Sequence, residues 1–166
     1  MPKNTAAMRS IHWILIIGLA LRIFLIPNPG FEADISFWKS WGLATWDFGI
    51  VEGMKVTNNN YPTPFAYTLG LMVGIYKLFA DPHVFTQFWS NTNLLFLTIS
   101  KLFPIAADFG IAAIILLIGK NPKRYGFPEV SFSLYGMPLY SLLAAAYLLN
   151  PVSLMDGAWW GQVDSL

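Results

Sequence analysis

"LLFLTISKLFPIAADFGIAAIILLIG", residues 94–119, is the stretch whose reading decides what kind of protein this is. Only Lys101, Pro104 and Asp108 interrupt it, so its clean spanning part is 102–119. As a helix that part rises about 27 Å, close to the roughly 30 Å of a bilayer's hydrocarbon core. Asp108 then lies about nine to ten Å below the helix's outer end, where an unpaired charge costs a few kcal/mol. It is therefore expected to face protein rather than lipid. Lys101, two turns earlier on the same face, is its expected partner.

Working outward, the pattern repeats on both sides. "MRSIHWILIIGLALRIFLIP", 8–27, is a second apolar run of spanning length, behind Lys3 and Arg9. It resembles a signal peptide, but no small-x-small cleavage site closes it, so a retained span is expected. Arg22 falls in its last third. Such an arginine either snorkels to the interface as an anchor or faces an anionic group inside the protein. Beyond 119, "KNPKRYGFPE" holds three cations, and an apolar helix is expected over 131–150. The 166 residues are 55% hydrophobic and 11% charged, against roughly a quarter charged in a soluble domain. Mean hydropathy is +0.52. The fold class is all-α integral membrane, with about three transmembrane helices. A net charge of +1 with no basic face argues against nucleic acid as a partner. The absence of cysteine excludes disulfides, thiolate metal sites and cysteine nucleophiles.

Between the first two spans lies a long loop, 28–101. "ISFWKSWGLATW" sets Phe37, Trp38, Trp41 and Trp46 near helical spacing, which predicts a helix lying along the membrane surface. The apolar segment 63–79 carries Gly70 and Gly74 in GxxxG spacing, a hint of close helix contact. Were 63–79 a crossing, Lys120, Lys123 and Arg124 would lie outside; charge bias favours the other placement. With Lys3, Arg9, Lys120, Lys123 and Arg124 all cytoplasmic, 63–79 is a juxtamembrane or re-entrant helix and the loop lies outside. A helix so apolar needs protein over part of it. The segment 151–166 then opens a further loop on the same outer face.

Candidate chemistry gathers on that face. Glu32 and Asp34 stand two apart just outside the first span, as either solvated acids, a general base for a hydroxyl, or oxygen ligands of a divalent cation. Tyr61, in the turn "NNNYPTPF", stacks on a sugar or anchors at the interface. In "WGQVDSL", Trp160 and Asp164 would share a helix face beside Gln162. An aromatic plane, an amide and an acid make a sugar-binding lining; an interfacial tryptophan belt with solvated acids is the other reading.

Taken together, "GFEADISFWKSWG", "YPTPF", "KLFPIAAD" and "NPVSLMDGAWWGQVDSL" resemble the N-terminal part of a GT-C membrane glycosyltransferase. The nearest branch is the mannosyltransferase-related membrane proteins similar to GPI mannosyltransferase II and the dolichyl-phosphate-mannose transferases. Thr63 stands where that family has a second proline. The resemblance implies transfer of a hexose, mannose in the nearest branch, from a polyprenyl-phosphate donor to an acceptor hydroxyl on the non-cytoplasmic face, with inversion. It implies Asp34 as general base with Glu32 in support, and Arg22, Tyr61, Trp160, Gln162 and Asp164 as substrate-binding residues. No metal and no cofactor are implied beyond the lipid-linked donor. The expected partners are that donor, membrane lipid and a missing C-terminal part of the same protein, because members of the family are several hundred residues long. The piece alone is expected to be inactive. The expected location is a prokaryotic plasma membrane or the endoplasmic reticulum membrane. The alternatives are a segment of a transporter or flippase, with Arg22, Asp108 and Asp164 along a polar path, and a small scaffold subunit.

Overall fold

A computed structural model describes residues 3–134 and 136–161, with side chains from residue 11 onward, apart from residue 135. The chain is mostly helical: α1 (Lys3–Leu25), α2 (Glu32–Thr57), α3 (Thr63–Lys77), α4 (Phe85–Phe88), α5 (Leu94–Lys120), α6 (Leu139–Leu148), α7 (Pro151–Ser153) and a π-helical stretch Leu154–Trp160. A two-residue antiparallel hairpin, β1 (Ser133–Leu134) and β2 (Met137–Pro138), precedes α6.

Among the described residues, α5 alone is long and apolar enough to cross a membrane. The apolar part of α1, Ile11–Leu25, and α6 are shorter. Two expected boundaries need correction. The helix around 102–119 begins eight residues earlier, at Leu94, because the Asn93 side chain caps it by accepting from Phe96 N–H at 3.1 Å. The helix expected over 131–150 starts only at Leu139: Gly136, at φ +77°, turns the chain and Pro138 precedes the first helical residue. α6 ends where expected, at Asn150-Pro151, which breaks the ladder and starts α7.

Residues of the loop 28–93 fold as a compact unit. α2 contains a break at Gly49 (φ 77°, ψ 171°) and packs along α3. The GxxxG pair makes the close contact its spacing suggested. A β-carbon on Gly74 would come within 2.5 Å of the Trp46 ring, and one on Gly70 within 2.9 Å of Thr45 Cγ2. At 15 residues α3 rises about 22 Å, short of a bilayer core. Its Leu69, Met72, Val73 and Tyr76 are buried against Trp38 and Trp41 of α2, Phe88, and Phe96 and Leu97 of α5. Lys39, also buried, donates to Ser90 O at 2.9 Å and lies over the Phe96 ring; burial lowers its pKa to about 8. His83 clasps the far end, with Nε2 3.0 Å from Asp47 on α2 and Nδ1 3.1 Å from Asp81.

A second packing unit joins α1, α5 and α6. Ala112, Ala144 and Leu148 form its buried apolar cluster, with Leu15, Phe109 and Leu116 packed against them, and a polar group lies beside it. Arg22 is fully buried with Asp108, which accepts from Nε at 3.0 Å and from Nη2 at 2.9 Å through one oxygen. The other Asp108 oxygen accepts from Tyr147 Oη–H at 2.8 Å. Outside, α1 shows Trp13, Ile16, Ile17, Ile23 and Phe24 to the surroundings, the last 80% exposed. Charge inside and apolar residues outside is the reverse of a water-soluble bundle.

Both clusters of charge can be tested. Asp108→Ala strands a buried guanidinium and costs about 3–5 kcal/mol by chemical unfolding; Arg22→Leu with Asp108→Leu recovers most of it. His83 has its pKa raised, first by its hydrogen bond to Asp47 and then by that to Asp81. Its imidazolium clasp is thus complete below the ordinary value near 6.5 and is lost as pH rises through the elevated one. NMR titration should place the His83 midpoint above 6.5, and Asp47→Asn should lower it.

Candidate functional site

The two units meet where α1 ends. Helix α1 finishes at Leu25, whose carbonyl accepts from Asn28 N–H at 3.1 Å, and several carbonyls crowd together at this end. Lys101 reaches them from α5: its ammonium donates to Leu25 O, Ile26 O and Asn28 O, and to Trp159 O at 3.0 Å. This corrects the expected Lys101–Asp108 pair. Lysine serves carbonyls at the negative ends of two helical segments, and Asp108 belongs to Arg22. The sequence marked Lys101 as unusual, but spacing along one helix cannot reveal a partner on another.

On that seat the chain's late segment closes against the first loop. The Asn28 side chain accepts from Gly30 N–H at 2.8 Å, forming a tight turn in which Gly30 has φ +67°. A β-carbon on Gly30 would collide with Trp160 O, so only glycine permits this approach. The Phe31 and Trp160 rings meet edge-on at 5.8 Å, and Trp160 Nε1–H donates to Asp34 Oδ2 at 3.0 Å. Gly161 (φ +87°) is buried against Ile35, Lys101 and Trp38.

The structure thus brings Asp34 and Trp160 together from positions 126 apart in sequence. Asp34 is half-buried and Glu32, at the start of α2, is exposed. Tyr61 sits nearby in the aromatic wall, 5.5 Å from Trp41 and 5.0 Å from Phe65, whose ring faces Trp38 at 6.1 Å. It is 37% exposed, with its ring available along one edge of the α2–α3 unit. Gln162 and Asp164 lie outside the described residues.

Arg22 is not in this group. A guanidinium has five N–H donors, and here each has an acceptor: Asp108 twice, Gly18 O at 3.2 Å, Leu148 O at 2.8 Å and Ser153 Oγ at 2.9 Å. All five donors are thus engaged within the protein. Of the expected alternatives, the cation facing an internal anion is the one realised. Ser153 and Tyr147 complete this network and carried no sequence signal, being ordinary residues of an apolar segment. Among the described residues no three acidic or histidine side chains group as a metal site.

Comparison of the chain with protein-family models, curated protein sequences and solved structures returns no match.

The junction's dependence on Gly30 is testable. Gly30→Ala should destabilise the protein by at least about 1 kcal/mol through the left-handed backbone alone. It should also part Trp160 from Asp34, read as a shift in tryptophan emission that Gly126→Ala, at an open turn, does not produce.

Proposed function

We propose that the chain belongs to a membrane glycosyltransferase of the GT-C type, moving a hexose from a polyprenyl-phosphate donor to an acceptor hydroxyl outside the cytoplasm. The observation that carries this reading is the Trp160–Asp34 hydrogen bond. It joins two of the sequence segments whose resemblance suggested the family, and Lys101, from a third, holds the backbone beside it. Tyr61, from the fourth, belongs to the neighbouring aromatic wall.

In this reading Asp34 is the general base. An acceptor hydroxyl gives its proton to the Asp34 carboxylate as its oxygen attacks the anomeric carbon from the face opposite the phosphate. The bond from that carbon to the lipid phosphate oxygen breaks, and the phosphate leaves with the electron pair, inverting the centre. The indole N–H of Trp160 orients the carboxylate and its ring offers a face for a sugar. Exposed Glu32 adds negative charge at the rim. Arg22, with its five donors engaged, acts as a positioning residue through Ser153 and Leu148.

The proposed topology has about three crossings: α1, α5, and α6 continued through α7 and the π-helical stretch. Lys120, Lys123 and Arg124 are then cytoplasmic, and Asp34 and Trp160 are outside. The transporter reading draws on the same buried Arg22 and Asp108, but a fully saturated pair offers an ion no open ligand.

In membranes expressing the complete reading frame, Asp34→Asn should lower hexose transfer from polyprenyl-phosphate hexose by about 10²–10⁴-fold. Donor binding should be retained. Transfer at the unaltered rate would sink the assignment of Asp34.

A further inference from the structure

The opposite end of α5 has no role in that chemistry, yet it is shaped. Ile115 and Ile118 of α5, Leu139 and Leu143 of α6, and Phe127 and Val130 between them surround a cavity of about 640 Å³. That size falls within the roughly 300–1,000 Å³ of small-molecule sites. Two charged residues also line it. Glu129 is neutralised by Lys123, 3.0 Å away, whereas Lys120 is exposed and forms no ion pair among the described residues. Arg124, in the turn that includes the lining residue Pro122, is likewise exposed without an ion pair among those residues. The groove is apolar within, has one uncompensated cation, Lys120, on its lining, and has a second, Arg124, in the turn that follows.

Depth makes this combination specific. Lys120 is the last residue of the one described helix long enough to span, so it stands where hydrocarbon gives way to headgroups. A phospholipid phosphate occupies that level, with its acyl chain running back along the helix. Basic pockets between helices on the cytoplasmic side suit anionic headgroups. A soluble anion would satisfy the cations and leave the apolar wall bare, and an uncharged lipid would do the reverse. We propose that this groove binds one anionic phospholipid, its phosphate on Lys120 and Arg124 and its acyl chain against Ile118, Leu139, Leu143 and Phe127. The proposal rests on α5 as a span and is independent of the sugar-transfer reading.

The full chain, extracted from membranes into neutral detergent, is titrated with phosphatidylglycerol or phosphatidylcholine, and bound lipid is counted by native mass spectrometry. Phosphatidylglycerol should bind more tightly. Lys120→Gln or Arg124→Gln should each weaken it about fivefold, and both together about twenty-five-fold, with phosphatidylcholine unaffected. Lys55→Gln, at an exposed residue of α2, should change nothing. Leu143→Trp, filling the cavity, should weaken both lipids, with helix content by circular dichroism confirming each variant's fold. Equal binding of the two lipids, or a preference that survives the double variant, overturns the site. So does an absence of bound lipid, the result expected if a further protein segment fills the groove. Release of the chain from membranes by alkaline carbonate would overturn the span, and the lipid site with it.

Discussion

The guanidinium of Arg22 is the constraint on which the helix bundle depends. Placing that charge among apolar helices is unfavourable unless every donor is met, and three separate elements meet them. Asp108 comes from the middle of α5, Leu148 O from the end of α6 and Ser153 from α7. The break at Asn150-Pro151 belongs to the same arrangement. In a continuous helix Leu148 O would accept from Val152 N–H, but that donor turns to the Asn150 side chain at 2.9 Å. The carbonyl so released is the one Arg22 takes. A helix interruption and a buried charge, each unfavourable alone, satisfy one another.

Lys101 has a related role two turns nearer the start of α5 than Asp108. Its ammonium gathers carbonyls from the end of α1, from Asn28 and from Trp159, so no carboxylate is needed for it. Two cations thus hold the late segment in place. Arg22 sets where Ser153 lies, and Lys101 sets where Trp159 lies, leaving Trp160 to reach Asp34. The candidate site is built from backbone geometry as much as from side chains, which is why Gly30 and Gly161 stand at its centre with left-handed backbones.

The α2–α3 unit works differently. α2 and α3 are held by aromatic and aliphatic packing with close glycine contacts, and α5 carries that core down into the polar bundle. Its first turns belong to one core and its later turns to the other, so the surface unit and the membrane-length helix are joined through one continuous element. A catalytic group mounted at their junction would be held rigidly relative to the bilayer.

What the residues alone determined is the class of environment and the cast of polar groups. Long apolar runs and few charges announced a mostly helical chain with at least one helix of membrane length, which α5 is, and the GxxxG spacing announced a close contact that does form. Asp108 was legible as a buried acid, because an ionisable group deep in an apolar run must be partnered. Its partner was not legible. Lys101 and Arg22 were both available, and the choice between them turns on how α1 crosses α5. The same holds for Asp34 and Trp160, and for the late start of α6 behind the Gly136 turn and Pro138. Periodicity reports which face of a helix is apolar, whereas a hydrogen bond across more than a hundred residues depends on where two helices end in space, and only the tertiary structure decides that.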